Sequence, residues 1–409
     1  MINSLPSELV LSGLGVTSAI GQGKTAFSAA LMRGDHAFRV MQRHGRQRGD
    51  SAFLGAEIGD LSIPDTLSKR LLQAATFSGK LALVTLAEAW EEAHLEGVDP
   101  QRIGLVIGGS NVQQREQQQT QENYANRLHF LHPNYALNFL DSDLCGLCSE
   151  QFGVKGFAYT LGGASASGQA ALIQAAEAVL ANRVDVGIAM GAMMDLSFWE
   201  CAGFRTLGAM GSDRYGQQPA LACRPFDANR DGFIYGESCG VVVVEKAHSA
   251  RERHLTPYAA LAGWAMGMDG NRGPNPSLEG EIHVIQTALA QAGLTPLDID
   301  YVNPHGTGSL IGDETERQAI AACGLGHAFI NATKSITGHG LSSAGTVELI
   351  ATLLQMRNAR LHPSRNLETP IDPSLNWVRE QALDHRMISA LKLSLGFGGI
   401  NTAVCISEL

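Results

Sequence analysis

Nowhere in its 409 residues does the chain offer ~18 consecutive apolar positions, the run that a helix needs to cross a bilayer. Its opening segment, MINSLPSELV, has neither the basic nor the apolar region of a secretory signal. The expectation is a soluble, cytoplasmic protein without a membrane partner. Positive charge is in deficit too, with 30 Lys and Arg against 40 Asp and Glu, a net −10. Non-specific nucleic-acid binding depends on neutralising phosphates with such residues, so a nucleic-acid partner is not expected. A local basic patch can still receive an acidic protein. Two are visible: Arg43, Arg46 and Arg48 in one stretch, which reads more simply as a solvated charge cluster, and Lys69 with Arg70 at the start of a helical segment.

A disulfide framework is also missing. Seven cysteines, an odd number in a large chain without a secretion signal, argue for reduced thiols. Cys145 and Cys148 form a lone CxxC, but no second ligand pair stands at zinc-site spacing, so both read as small buried residues and no metal is expected.

What the chain does have is an alternation of strand and helix. Apolar, β-rich runs at 9–16, 103–109, 184–191 and 240–245 are separated by helical stretches at 68–94 and 165–183. A second series gives strands near 258–266, 299–304, 389–395 and 402–407, with helices near 280–293, 313–323 and 341–357. This is the rhythm of a parallel-rich α/β protein, and the length calls for more than one core. The glutamine-rich segment 111–127 fits an exposed helix or loop.

Three segments carry the chemistry: GGASASG (162–168) opening an alanine-rich helix, YVNPHGTGSL (301–310) and ATKSITGHG (332–340). Alone, Ser165 reads as a helix N-cap and His305 as a satisfied core histidine. Together, in this order, they resemble the active site of a β-ketoacyl synthase of the thiolase superfamily. LSGLGVTSAIG (11–21), RPFDANRDGFIYGES (224–238) and LGFGGINTAV (395–404) extend the resemblance over nearly the whole chain. The family carries cysteine where this chain has Ser165. VDVGIAMGA (184–192), with Asp185 twenty positions past Ser165, fixes the register of that comparison.

The resemblance implies a five-layered α-β-α-β-α sandwich of two duplicated halves. Residues 1–250 would carry Ser165, and residues 251–409 would carry His305, Lys334 and His339. It assigns His305 and His339 to stabilising an enolate as carbon dioxide leaves a malonyl thioester, and Lys334 to tuning them. Phe397 would gate the pocket and lend its backbone N–H to an oxyanion hole. Thr307 and Ser309 would contact the phosphopantetheine arm, and Asp313, Glu316 and Glu348 would brace the loops. Lys69 and Arg70 match a basic helix start that receives acyl carrier protein. No bound cofactor is implied, since the substrate rides on the carrier's arm. A homodimer, pairing an edge strand near 154–161 across a twofold axis, is the default. Gly338 and Gly340 read as space for substrate beside His339.

Departures from the family pattern are Ser165 itself, Gly163, Gly308, Leu395 and the pair Ser238-Cys239. A helix start lowers a thiol's pKa, whereas a serine hydroxyl stays protonated and needs a base. Acyl loading is therefore crippled while the decarboxylating histidines remain. The expected activity is decarboxylation of malonyl-acyl carrier protein to acetyl-acyl carrier protein, resembling the decarboxylating ketosynthases of polyketide β-branching cassettes and placing other cassette enzymes among the partners. Three alternatives stay open: a noncatalytic chain-length-factor partner of an active ketosynthase, a condensing or acyl-transfer enzyme using Ser165 as nucleophile, and a structural scaffold. A thiolase is disfavoured because LGFGGIN has no cysteine.

Overall fold

The computed structural model describes residues 8–409, so the first seven residues of the opening segment lie outside the described residues. Ten strands and six helices position the site. In chain order they are β1 (Leu9–Ser18), α1 (Phe77–Glu92), β2 (Ile103–Gly108), α2 (Ser142–Phe152), β3 (Phe157–Leu161), α3 (Ser167–Leu180), β4 (Val186–Gly191) and β5 (Ser238–Lys246). The second series is β6 (Ala259–Met268), α4 (Leu278–Ala292), β7 (Tyr301–Asn303), α5 (Leu310–Ala322), β8 (Phe329–Ile330), α6 (Ala344–Asn358), β9 (Ser389–Gly396) and β10 (Ile400–Ser407).

The strands lie in the order β8-β7-β9-β10-β6-β1-β5-β4-β2-β3. The order divides at β1 and β6, which share only the pairs Val10↔Ala260 and Leu11↔Ala259. On each side the topology is the same. The first strand is antiparallel to the last (β1 to β5, β6 to β10), the last is antiparallel to the fourth, and the remaining pairs are parallel. The duplication, invisible as sequence identity, is thus written in the strand order.

Period-two alternation sends each sheet's two faces to different cores. In the first sheet, Val106, Ala189, Val242 and Val244 face α3 and α6, while Leu105, Ile188, Val241 and Val243 face α1 and α2. Helices α4 and α5 cover the outer face of the second sheet through Val284, Ile285, Ala288, Ala319 and Ile320. The result is a five-layered α-β-α-β-α sandwich with α3 and α6 at its centre. Helix α6 is buried continuously from Ala344 to Met356, as an all-round apolar helix must be. No helix among the described residues is long and apolar enough to cross a membrane.

The single helix read over 68–94 is two. A short helix, Lys69–Ala74, ends at the extended Ala75, and Thr76 caps α1 by accepting from the Gly79 N–H. Segment 111–127 does hold a helix, Gln114–Tyr124. Cys145 and Cys148 are buried on α2, where burial raises both thiol pKa values.

Candidate active site

The central helices begin where the two halves meet. Ser165 lies in a 3₁₀ turn, Ala164–Ala166, between β3 and α3, and His339 immediately precedes the equivalent stretch, Gly340 and the turn Leu341–Ser343, ahead of α6. Each turn holds a non-glycine residue in the left-handed region, Ala164 at φ 46° and Leu341 at φ 54°. Such strain persists only where packing enforces it, and it sits here at the junction of the halves. Ser165 is not a helix cap: Ser167 accepts the Gly163 N–H, while Ser165 Oγ lies 2.9 Å from His339 Nε2.

His305 follows β7, and its ring meets that of His339 edge-on at 5.4 Å between centroids. Hydrogen bonds fix both tautomers. The Leu341 N–H donates to His339 Nδ1 (3.3 Å), and Lys334 Nζ, which has only donors, lies 3.4 Å from His305 Nδ1. Nδ1 therefore accepts in each ring, leaving the proton of the neutral imidazole on Nε2. Burial and then the Lys334 charge hold both imidazoles well below the usual histidine pKa, so both are neutral at pH 7. Two Nε2–H donors on adjoining imidazoles suit stabilisation of a developing oxyanion. The same tautomer makes His339 a donor to Ser165 rather than a base for it.

Lys334 also donates to the His305 carbonyl and pairs with Glu348. Glu316 accepts the N–H groups of His305 and Gly306, and burial lifts its carboxyl to about 7. Asp313 accepts from Phe226, Thr307 and Gly308 and lies 3.6 Å from Arg230. These carboxylates fix the loop that carries His305. A cavity of about 240 Å³ brings together Ser165, His305, His339, Thr307, Ser309 and Phe397. Thr307 Oγ1 donates to Ser309 Oγ at 3.0 Å. Lys69 and Arg70 are exposed at the start of their short helix, with Arg70 paired to Glu150.

Two sequence readings are corrected by this geometry. Gly338 and Gly340 do not make room for substrate. A Cβ on Gly338 would stand 2.9 Å from the Tyr235 carbonyl and the Gly236 Cα, and one on Gly340 would stand 2.3 Å from the Ser238 and Ser343 hydroxyls. The loop is held by protein, not left open for ligand. Nor are Arg43 and Arg46 a solvated cluster. Arg46 is fully buried against Glu57, Asp195 and Glu237, and Arg43 shares Glu237. Only Arg48 of the three is exposed, paired with Glu122.

Residues 7–250 match the family model of the β-ketoacyl synthase N-terminal domain, and residues 258–368 match that of its C-terminal domain. The chain belongs to the β-ketoacyl synthase family. A Bacillus subtilis protein named polyketide biosynthesis malonyl-ACP decarboxylase PksF is 61% identical over 402 residues, covering 98% of this chain and 97% of its own. The 3-oxoacyl-acyl-carrier-protein synthase 2 of Coxiella burnetii is 28% identical, covering 98% and 99%. The crystal structure of a β-ketoacyl synthase from Burkholderia phymatum superposes with a TM-score of 0.89 at 27% identity, over 98% of this chain and 100% of that one.

Sequence reasoning missed one charged group of this ketosynthase site. Lys392, mid-strand in β9, is fully buried and pairs with Glu348 at 2.7 Å. In the run SALKLSLG it stands among alternating apolar residues, and nothing local marks it as part of the site. The available signal was that both faces of this strand are covered in the five-layered fold, which leaves no solvent for a lysine and so demands a partner.

Proposed function

We propose that this ketosynthase decarboxylates malonyl-acyl carrier protein to acetyl-acyl carrier protein in polyketide biosynthesis, without an acyl-enzyme. The observation that carries it is a pair of neutral imidazoles, both protonated on Nε2, beside a serine hydroxyl where condensation requires a thiolate. The bond from the malonyl α-carbon to its carboxylate breaks, and its electron pair moves into the thioester as an enolate. Carbon dioxide leaves. His305 and His339 donate to the enolate oxygen, and the carbon takes one proton from solvent to give the acetyl thioester. With no acyl group on residue 165, the enolate has no electrophile to attack.

In this reading Thr307 and Ser309 bind the phosphopantetheine arm within the cavity, Phe397 gates it, and Lys69 with Arg70 receives the acidic carrier protein. No cofactor beyond the carrier's arm takes part. The working form is a cytoplasmic homodimer of chains with halves 1–250 and 251–409. An edge strand, β3, half-buried throughout, and the exposed Leu128, Phe130, Leu137, Phe139 and Leu140 support the dimer. Serine at position 165 supports membership of a β-branching cassette.

Two outcomes test the reading. Incubated with malonyl-acyl carrier protein and no acyl primer, the enzyme is expected to yield acetyl-acyl carrier protein, followed by intact-protein mass spectrometry. A malonyl form that persists over many turnover times would sink the proposal. Ser165→Ala is expected to keep substantial activity, since both donors remain; a stoichiometric acyl adduct on Ser165 of wild type, turning over at the catalytic rate, would favour a serine acyl-enzyme instead.

A further inference from the structure

We propose that Lys392 is a positioning residue that offsets the charge of Glu348, so that the ammonium of Lys334 acts on the two active-site histidines un-neutralised. The inference rests on the decarboxylase reading above and concerns a group that touches neither substrate nor imidazole.

Glu348, on α6, is buried between two ammoniums. Lys334 holds its Oε1, and Lys392 holds its Oε2 at 2.7 Å. All three side chains are at most 2% exposed. Lys392 satisfies its other donors on the Leu393 carbonyl and on Ser394 Oγ at 3.2 Å. Lys334 turns its own toward the His305 carbonyl and Nδ1. Within this trio, one carboxylate between two ammoniums leaves a single positive charge; Glu316, whose carboxyl lies at about 7, is common to wild type and both variants below.

Without Lys392, Glu348 would cancel Lys334, and the field favouring an enolate oxygen over a neutral thioester carbonyl would fall. A buried charge is costly unless paired, so a second lysine kept in this interior calls for a physical reason. The groups facing Lys392 are Glu348, Lys334 and Glu316; those facing His305 are Lys334, Glu316, His339 and Lys392; those facing His339 are Lys334 and Lys392. Burial brings the Lys392 ammonium down to about 8. Wild-type decarboxylation should therefore decline as pH rises through that range, when Lys392 loses its proton and Glu348 neutralises Lys334.

The test is the rate of acetyl-acyl carrier protein formation between pH 6 and 9.5 for wild type, Lys392→Met and the double variant Lys392→Met/Glu348→Gln. Lys392→Met is expected to be slower on the order of tenfold at neutral pH, the scale for removing one nearby charge in a protein interior, and to lack the wild-type decline near pH 8. The double variant restores the charge of the trio, so it should regain most of the lost rate and likewise lack the decline near pH 8. A Lys392→Met enzyme with wild-type rate and the same alkaline decline would overturn the proposal. So would a folded double variant no faster than Lys392→Met. A merely structural lysine would not have its loss repaired by removing its partner's charge. If Lys392→Met alone does not fold, the double variant carries the test, and a folded but inactive protein overturns the inference. Wild type without decarboxylase activity would instead sink the functional reading itself.

Discussion

Replacing His305 or His339 by alanine is expected to slow decarboxylation by ~10²–10³-fold each, the usual loss when one donor to a developing oxyanion is removed. Each ring has Nδ1 occupied as an acceptor, His305 by Lys334 and His339 by the Leu341 N–H, which leaves one proton, on Nε2, to donate. Neither ring can substitute for the other, because they stand edge to face on separate loops. The readout is conversion of malonyl- to acetyl-acyl carrier protein, with circular dichroism to show that the fold is kept. Near-normal rates in both folded variants would place the chemistry elsewhere. Histidines held neutral by burial also give a stability signature. As pH falls below 6.5, the unfolded chain binds protons at these positions while the folded chain does not, so stability declines toward acid. The alanine variants should show a shallower decline in thermal midpoint between pH 6.5 and 5 than wild type.

The serine and both histidine motifs could be read together from the chain because their local sequences match a known pattern. Their meeting point was implied by the family resemblance alone, not by any local pattern. Strands rich in β-branched residues, such as the valines of β5, were equally legible because their pattern is local. What escaped was set by tertiary burial. Ser68 and Thr76, both ordinary polar residues in a helical window, each cap a separate helix, and only the extended Ala75 shows the break. Gly338 and Gly340 look like openings until the strand at Tyr235 and Gly236 is packed against them. Lys392 has no local sequence mark, and its partner Glu348 comes from α6. In each case the deciding partner comes from a distant part of the chain.

The same principle separates two arginines that lie two positions apart. Arg46→Met is expected to destabilise the fold by ~3–5 kcal/mol, the cost of breaking a buried ion network from one side. Arg46 is fully buried and pairs with Glu57 at 3.0 Å, Asp195 at 2.9 Å and Glu237 at 2.6 Å. Removing it leaves Glu237 to Arg43 and Asp195 to Arg115, while Glu57, which still accepts the Gln42 and Arg43 N–H groups, keeps as its cationic partner only the exposed Arg39 at 3.8 Å. Methionine fills part of the volume but satisfies none of these oxygens. The damage should also reach the site. Glu237 follows the Tyr235–Gly236 strand, and the Gly236 N–H donates to the His339 carbonyl, so the strand that locks Gly338 loses one of its anchors and keeps Arg43 and the Ile58 N–H. Arg48→Met, by contrast, breaks an exposed pair with Glu122 and should cost about 1 kcal/mol or less. Thermal unfolding of both variants beside wild type is the measurement. A drop of several degrees for Arg46→Met with little change for Arg48→Met is the expected result. Equal midpoints for the two variants would mean that the buried network contributes nothing beyond a surface ion pair, and the structural role given to Arg46 would have to be abandoned.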